Sequence, residues 1–288
     1  MFELKHKYQI KEMAEFLKVS RSGYYEWISL PISAHKKEDI EMKKEIKKIF
    51  VETKGTYGAE RVSKELQKRN MQCGRDRSGR LMKELHLIPR ARKKFKVTTN
   101  SNHNKLTAPN LLKQNFIVSE RNKAWVGDIT YIHTQEGWLY LAVVIDLFSR
   151  AIVGWAMGSR ITAELVDKAL RMAVKRRNPV KGLIFHSDKG TQYCSNLFRN
   201  TVSSFGIIQS MSGKGNCYDN AVAESFFHTL KVEQIHPFRF CTRRSAEMCI
   251  FEYIEMFYNR KRIHSFANYM APLEYEKLLY EKKEVKCA

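Results

Sequence analysis

Residues 123–157, KAWVGDITYIHTQEGWLYLAVVIDLFSRAIVGWAM, decide the fold of the larger part of the chain. They contain three short runs of aliphatic, β-branched and aromatic residues, separated by breaks at 135–137 and 149–150. Breaks this short typically join neighbouring antiparallel strands. The stretch therefore predicts three consecutive antiparallel strands, over residues 123–132, 138–147 and 151–157.

After residue 157, the sequence alternates between amphipathic helices and short apolar strands. Three antiparallel strands followed by helix, strand, helix, strand and helix is the element order of the ribonuclease-H-like fold. We therefore predict an α/β domain with a mixed five-stranded sheet and flanking helices. Its further elements are expected at 162–177, 182–187, 195–205, 207–211, 218–232, 244–260 and 272–283.

Composition restricts the partners of the protein. The 288 residues include 51 Lys and Arg against 30 Asp and Glu, a net charge of +21. About two-thirds of this excess lies before residue 116. A surplus this large favours nucleic acid as the partner. Six cysteines without a C-x-x-C pair, and apolar runs too short to span a bilayer, predict a cytoplasmic protein with no membrane association.

The basic part of the chain is expected to be helical. Residues 10–28 show helix, polar break and helix, which predicts a helix-turn-helix over 1–30 or a plain helical hairpin. Residues 38–98 predict a second, helix-turn-helix-like region that ends in the basic run RARKKFK, followed by a linker at 99–115. The run is interpreted as an arm that follows DNA phosphates, the alternative being a solvated linker. Expected DNA-contact residues are Arg21, Arg90, Arg92, Lys93, Lys94 and Lys96.

Three carboxylates carry the predicted chemistry. Asp128 lies inside an apolar strand, where an unpaired charge is costly. Asp188 ends a buried strand, and Glu224 lies on an amphipathic helix with 35 residues between it and Asp188. Singly, each has an ordinary alternative: an edge-strand or capping Asp, a turn Asp and a solvated helix Glu.

Together, three carboxylates converging from two strands and a helix suit Mg²⁺ or Mn²⁺, which prefer oxygen ligands. Two such ions about 4 Å apart can assist both the attacking and the leaving oxygen in phosphodiester transfer. Lys231 follows Glu224 by two helical turns and could hold a DNA phosphate beside the ions.

Several long motifs are similar to a known family. Over residues 116–276 the chain resembles the integrase and transposase catalytic core with the D,D-35-E triad. Over nearly its whole length it resembles the second-frame (OrfB-type) transposases of the IS-three family of bacterial insertion sequences. The motifs are WVGDITYI, GWLYLAVVIDLFSRAIVGW, HSDKGTQY, SMSGKGNCYDNAVAESFFHTLK and YNRKRIHS, with TYGAERVSKEL, RLMKELHL and HNKLTAPNLLKQNF upstream.

The resemblance implies a transposase that cleaves element ends and transfers the strand to target DNA. Asp128, Asp188 and Glu224 would be its triad, and Lys231 the associated basic residue. It also implies terminal-repeat and target DNA as partners, a homo-oligomer on DNA, and frameshift fusion to an upstream first-frame protein. The chain departs from the family at Gly127, where Thr is usual, and at 267–268, where Leu and Gly are usual. Residues 277–288 are expected to form a C-terminal tail.

Two other functions stay open: a catalytically silent DNA-binding regulator, and a ribonuclease-H-like nuclease that cuts without joining. Further polar residues have a structural and a functional interpretation. Asp146 is expected at a strand end with Arg150, the alternative being a further carboxylate near the metals, and Asp219 as the N-cap of the Glu224 helix. His186 could contact a phosphate or be a packed strand histidine. Tyr193 and Asn220 could orient DNA. Three more residues could bind DNA ends or solvate a helix: Arg260, Arg262 and His264.

Overall fold

The computed structural model describes residues 1–31, 33–90, 107–213 and 217–287. They form two units, one of Met1–Lys54 with Gly58–Ile88 and one of Gly55–Tyr57 with Pro89–Ala288. The regions expected at 1–30 and 38–98 thus fall largely in one unit.

The first unit is helical. Its polar break is confirmed, because Ser20 begins the second helix by accepting a hydrogen bond from the Gly23 amide at 3.3 Å. Such a cap satisfies one of the amides that a helix start leaves without a partner. The helices are α1 (Ile10–Phe16), α2 (Arg21–Ser29), α3 (Ala34–Glu52), α4 (Ala59–Lys68) and α5 (Arg75–Glu84).

A small apolar core holds α3, α4 and α5 together. Ile46, Leu66 and Leu81, one from each helix, are fully buried. The Ser63 hydroxyl of α4 donates to the carbonyl of Cys73, in the connection to α5, at 2.7 Å. Gly74 then precedes α5 in extended backbone, so the predicted helix–turn–helix path is present.

The second unit contains the predicted sheet. Its order is β3-β2-β1-β4-β5, with β2 antiparallel to both β1 and β3, and β4 parallel to both β1 and β5. This is the predicted mixed five-stranded sheet. The strands are β1 (Ala124–Thr134), β2 (Gly137–Asp146), β3 (Ile152–Gly158), β4 (Ile184–Ser187) and β5 (Ile208–Met211).

Helices cover both faces of the sheet, because side chains of successive strand residues point to opposite faces and both sets are apolar. One face packs with α8 and α9, the other with α6 and α7. The helices are α6 (Ala163–Arg177), α7 (Asn196–Ser204), α8 (Ala221–Leu230), α9 (Arg243–Glu252) and α10 (Pro272–Cys287). No helix in the described ranges is long and apolar enough to cross a membrane.

Residues 107–115, expected to be linker, are instead part of the second unit. Leu112 is buried in its core, and the Leu111 amide donates to the Ser210 hydroxyl at 2.9 Å. The side chains of Asn110 and Gln114 donate to the Asp219 carboxylate. These bonds and the burial of Leu112 attach the segment to the second unit, although most of its other side chains stay exposed.

Two short pieces from the first ninety residues also complete the second unit. The buried Tyr57 hydroxyl accepts from the Ile263 amide at 2.8 Å and donates to the Lys261 carbonyl at 3.2 Å. The Arg90 guanidinium donates to the Glu233 carbonyl. The Glu233 carboxylate in turn forms a buried bidentate pair with Arg262, with N–O distances of 2.7 and 2.8 Å.

Candidate active site

The parallel ladder between β1 and β4 brings the two aspartates together. Its last pair is Gly127 with Ser187. Asp128 follows within β1, and Asp188 is the first residue after β4. Neighbouring strands lie about 4.8 Å apart, so Asp128 and Asp188 emerge side by side. Backbone amides orient both carboxylates, from Ile129 to Asp128 at 2.8 Å and from Gly190 to Asp188 at 2.9 Å.

Helix α8 supplies the third carboxylate at the rim of the same site. Its apolar side chains, such as Phe227 and Leu230, are buried against the sheet, which leaves Glu224 exposed. The Asn220 side chain, one turn before Glu224, donates to the Gly127 carbonyl at 3.4 Å. This bond ties the start of the Glu224 helix to the strand residue that precedes Asp128.

The charges around Asp128 act on its carboxylate. Burial raises the pKa of Asp128 well above its ordinary value, and the negative charges of Asp188 and Glu224 raise it further. The Ile129 amide and the Lys231 ammonium act in the opposite direction. Partial loss of water around the Glu224 carboxylate at this rim raises its pKa as well. Without a cation, this cluster therefore favours taking up a proton.

The carboxylates suit a hard cation by their chemistry, but they do not form a ready-made cage. Among the described residues, no three His, Cys, Asp or Glu side chains are already arranged to enclose a metal ion. Mg²⁺ usually keeps several waters and binds through one or two carboxylates plus substrate phosphates. The adjacent pair Asp128 and Asp188, with Glu224 at the rim, fits that mode of binding.

Lys231 lies on the predicted side of the site. It follows the last residue of α8, and its Nζ is 4.8 Å from the centroid of the Tyr131 ring. Burial lowers the pKa of Lys231, and the Asp128 carboxylate opposes that shift. The ammonium is therefore near the carboxylates, as the spacing from Glu224 suggests.

Behind the aspartates the site is packed with aromatic rings. Tyr193 is buried, its ring centroid 6.1 Å from that of Phe185 and 5.3 Å from that of Phe198. Burial raises the pKa of the Tyr193 hydroxyl well above its ordinary value, and the charges of both aspartates raise it further. The structure favours a packed residue beneath the site over the predicted role in orienting DNA.

Two departures from the family pattern have local explanations. A Cβ on Gly127 would lie 2.3 Å from Cζ of Phe185, so the ring occupies the space that a side chain would need. Asn268 has φ 50°, in the left-handed region. Asn tolerates that conformation better than most residues other than glycine, so it can stand where the family has Gly.

Asp219 is not the N-cap of α8, as the sequence predicted. Asn220 holds that position, without a side-chain cap bond. Asp219 is buried and accepts hydrogen bonds from Asn110, Gln114 and the Gly213 amide. Its role is to join the segment before β1 to the loop before α8.

Asp146 has the expected structural role at a strand end. It is buried at the end of β2 and accepts from the Asn122 and Phe148 amides at 2.9 and 3.0 Å. Burial raises its pKa to about 6, which those two amides oppose. The Arg150 amide donates to its backbone carbonyl at 2.8 Å.

The remaining polar residues with an open role differ in how deeply they are buried. His186 is fully buried, with Nδ1 2.8 Å from the Ser210 hydroxyl, and burial lowers its pKa. Arg262 is buried against Glu233, and its Nη1 lies 3.2 Å from Nε2 of His264. Arg260 is exposed, and its Nε donates to the Glu255 carbonyl at 3.1 Å. His186 and Arg262 are therefore packed residues.

The predicted DNA-contact residues differ in exposure and in the contacts that they make. Arg21 is exposed at the start of α2 and lines a surface cleft with Lys5, Lys7 and Lys11. Arg90 is engaged with the Glu233 carbonyl and lies over the Phe238 ring, contacts that its sequence context did not indicate. Arg92, Lys93, Lys94 and Lys96 lie outside the described residues.

Comparison with known proteins identifies both units. An HTH-like domain model matches residues 36–95, and Integrase core domain models match residues 118–217 and 224–278. The chain is 47% identical over 269 residues to an insertion element IS600 uncharacterized 31 kDa protein of Shigella sonnei. That alignment covers 93% of this chain and 99% of the relative.

A second relative carries a functional description. The chain is 40% identical over 280 residues to Transposase InsF for insertion sequence IS3A of Escherichia coli (strain K12), covering 96% of this chain and 97% of that one. A chain of the simian T-cell lymphotropic virus intasome, solved by cryoEM in complex with PP2A regulatory subunit B56 gamma, has a TM-score of 0.48 at 14% identity. That match covers 80% of this chain and 73% of the other.

An integrase core domain with adjacent acidic side chains on the central strands of a mixed sheet defines a polynucleotidyl transferase of the DDE class. The HTH-like region before it confirms the predicted division into a helical part and a catalytic part. The chain belongs to the IS3 (IS-three) family of insertion-sequence transposases.

Proposed function

We propose that this transposase cleaves DNA at the ends of its insertion sequence and transfers the freed 3′-hydroxyl to target DNA at Asp128, Asp188 and Glu224. The observation that carries this proposal is the ladder pair of Gly127 with Ser187, which places Asp128 and Asp188 side by side. Glu224 lies close enough for its charge to raise the pKa of Asp128. Carboxylates crowded together are unfavourable unless a cation or protons neutralise them.

The donor set favours Mg²⁺ or Mn²⁺, and we propose two ions, for which Asp128, Asp188 and Glu224 would supply the carboxylate ligands. When bound, such ions lower the energy of the attacking and leaving oxygens in a phosphodiester displacement. The carboxylates would hold the ions that neutralise the phosphate, which would be attacked first by water and then by the 3′-hydroxyl. The Lys231 ammonium, near Asp128, holds a neighbouring phosphate oxygen.

We further propose that the helical unit recognises the terminal repeats, with Arg21 and the 92–96 arm on phosphates, and that the enzyme acts as a homo-oligomer on DNA. A DDE active site cuts and joins one strand at a time, so two element ends need two active sites. An upstream first-frame protein, fused by frameshifting, would supply the oligomerisation helix. This chain shows no leucine-zipper heptads of its own.

The test is strand transfer by full-length variants on DNA carrying the element ends, with cleavage and joining scored separately. Asp128→Asn, Asp188→Asn and Glu224→Gln should each reduce both steps to background, because residues that act as a unit fail together. Glu164→Gln, an exposed carboxylate on α6, is the matched control and should retain wild-type rates. Cleavage without joining in the wild type would favour the nuclease alternative.

The same variants distinguish a site residue from a fold residue. Each should melt as the wild type does and bind DNA with similar affinity. More than a few per cent of wild-type joining in any one of them would remove that residue from the proposed site. Omitting the divalent cation should abolish joining in the wild type, with recovery on addition of Mg²⁺ or Mn²⁺.

A further inference from the structure

The outer end of the β1–β2 hairpin carries three aromatic rings that the carboxylate chemistry does not use. Tyr131, His133 and Trp138 form what we term the hairpin aromatic cluster. The Tyr131 and Trp138 centroids are 5.1 Å apart at 88°, and those of His133 and Trp138 are 5.3 Å apart at 82°. Tyr131 is 38% exposed and Trp138 45% exposed. Large aromatic side chains that stay exposed together are typical of a binding surface.

The cluster adjoins the proposed reaction centre. Tyr131 follows Asp128 by three residues on β1, a distance of about 10 Å along the strand. Lys231 links the two, because its Nζ lies 4.8 Å from the Tyr131 centroid and its charge acts on the Asp128 carboxylate. The side chains of Asp128 and Tyr131 start on opposite faces of β1, and the Lys231 ammonium lies near both. A DNA strand held at the carboxylates and Lys231 therefore has the Tyr131 ring within reach.

Positive charge accompanies the rings on the other side of the hairpin. The Arg243 Nε donates to the Trp138 carbonyl at 3.0 Å, and the Arg243 amide donates to the Glu136 carboxylate at 2.8 Å. Exposed aromatic rings flanked by Lys and Arg are the usual combination for single-stranded nucleic acid, since every base has a face that can stack. Charge and ring chemistry thus both favour an unpaired DNA strand.

We propose that the hairpin aromatic cluster stacks an unpaired nucleobase of the DNA strand whose phosphodiester lies at Asp128, Asp188 and Glu224. The inference rests on the proposed function of that site. Opening the terminal base pairs exposes the phosphodiester but sacrifices base stacking. A base that restacks on Trp138 or Tyr131 recovers part of that loss and holds the strand beside the carboxylates.

The test measures binding without catalysis, in Ca²⁺ or without divalent cation. The probe is a forked duplex with three unpaired nucleotides on each strand, one of them 2-aminopurine, compared with a blunt duplex of the same sequence. Full-length wild type should quench the 2-aminopurine on binding. Trp138→Ala should lose most of the quenching and bind the fork about five- to hundred-fold more weakly, the range found for base–aromatic stacking. Binding to the blunt duplex should be unchanged.

Three further variants separate loss of the ring from loss of the fold. Trp138→Phe retains a ring and should restore the quenching. Trp138→Leu retains only apolar bulk and should lose the quenching as Trp138→Ala does, so it provides the test if Trp138→Ala folds poorly. Phe251→Ala is the matched control, because Phe251 is also exposed (43%) but contacts Trp155 on β3. It should quench and bind as the wild type does.

Several outcomes would overturn the inference. Unchanged quenching and fork affinity in Trp138→Leu would exclude base stacking at the cluster. Weaker self-association of Trp138→Leu in sedimentation, with normal quenching, would identify a contact between copies of the chain instead. If the wild type quenches the fork but cleaves nothing with Mg²⁺, the proposed function fails while the stacking site stands.

Discussion

Gly127 offers a sharp test of how the site is positioned, because it directly precedes Asp128. Its absent Cβ would lie 2.3 Å from Cζ of Phe185, and 3.1 and 3.2 Å from the two adjoining ring carbons. Ordinary contact begins near 3.4 Å, so Gly127→Ala requires the ring or the strand to move by about 1 Å. Phe185 is 1% exposed and packs between Tyr193 and Phe198, which leaves the ring little room.

The expected magnitude follows from that displacement. Overpacking a tight core costs about 1–3 kcal/mol. For a protein of this size, that lowers the melting temperature by a few degrees. A shift of about 1 Å in a reacting group can cost about 100-fold in rate. Gly127→Ala should therefore reduce strand transfer about ten- to hundred-fold while affecting stability moderately.

The double variant provides the control. Phe185→Leu removes the ring atoms that the new methyl would meet, so Gly127→Ala with Phe185→Leu should be more stable and more active than the two single effects predict. We expect a coupling free energy of about 1–3 kcal/mol, typical of residues in direct contact. Melting curves and strand-transfer rates of the four proteins measure it. Additive effects would show that Phe185 does not restrict Gly127, and the steric account would be wrong.

Two more predictions follow from buried charge. Lys231→Ala should lower strand transfer about ten- to hundred-fold at low DNA concentration, the scale of one hydrogen bond to a charged group. Lys231→Arg should recover only part of the rate, and the melting temperature should change by no more than a degree or two. Wild-type rates in Lys231→Ala would show that Lys231 does not hold a phosphate. The folded-state pKa of Asp146 is about 6, against an ordinary value of 3.8. Between these values the folded chain keeps a proton that the unfolded chain has released, so the free energy of unfolding falls as pH rises from about 4 to 6. Relative to Asp146→Asn, which does not titrate, the wild type should lose about 3 kcal/mol of unfolding free energy across that window and little above it. Urea denaturation at several pH values measures this difference, and a difference independent of pH would contradict the raised pKa.

The sheet and the carboxylates could be predicted because their signals are local. Three apolar runs with short breaks fix β1 to β3, and Asp128 and Asp188 each interrupt or end such a run. The parallel pairing that brings the two aspartates side by side was implied only through the fold. Lys231 was predicted from helical spacing, and its position near Asp128 agrees with that spacing.

The errors concern residues whose partners are distant in sequence. Asp219 has the local context of an N-cap, but its partners at 110 and 114 are more than 100 positions away. The same bonds explain why a polar segment before residue 116 packs on the sheet instead of linking domains. Arg262 lies in a basic motif that favours DNA contact, yet its carboxylate partner Glu233 is 29 residues earlier and equally buried. No local pattern distinguishes such a pair from solvated charges.

The hairpin aromatic cluster was missed for a different reason. Aromatic residues in β-strands are typical of a core, so Tyr131 and Trp138 gave no functional signal. The structure shows that their side chains lie on the open end of the hairpin, where β1 extends beyond its pairing with the shorter β4. The difference in strand length, which composition does not encode, leaves those rings exposed.

The contact of Tyr57 with residues 261–263 can form only late in the synthesis of the chain. Tyr57 is separated by 204 and 206 residues from the groups that its hydroxyl contacts. At roughly 5–20 residues per second, a ribosome needs about 10–40 s to reach them. During that interval the helices of the first unit are already made, whereas the catalytic unit still lacks α8, α9 and the partners of Tyr57. With the roles proposed for the two units, a nascent chain would engage DNA before it could cut it, and a prematurely ended chain would compete for DNA without catalysing transfer.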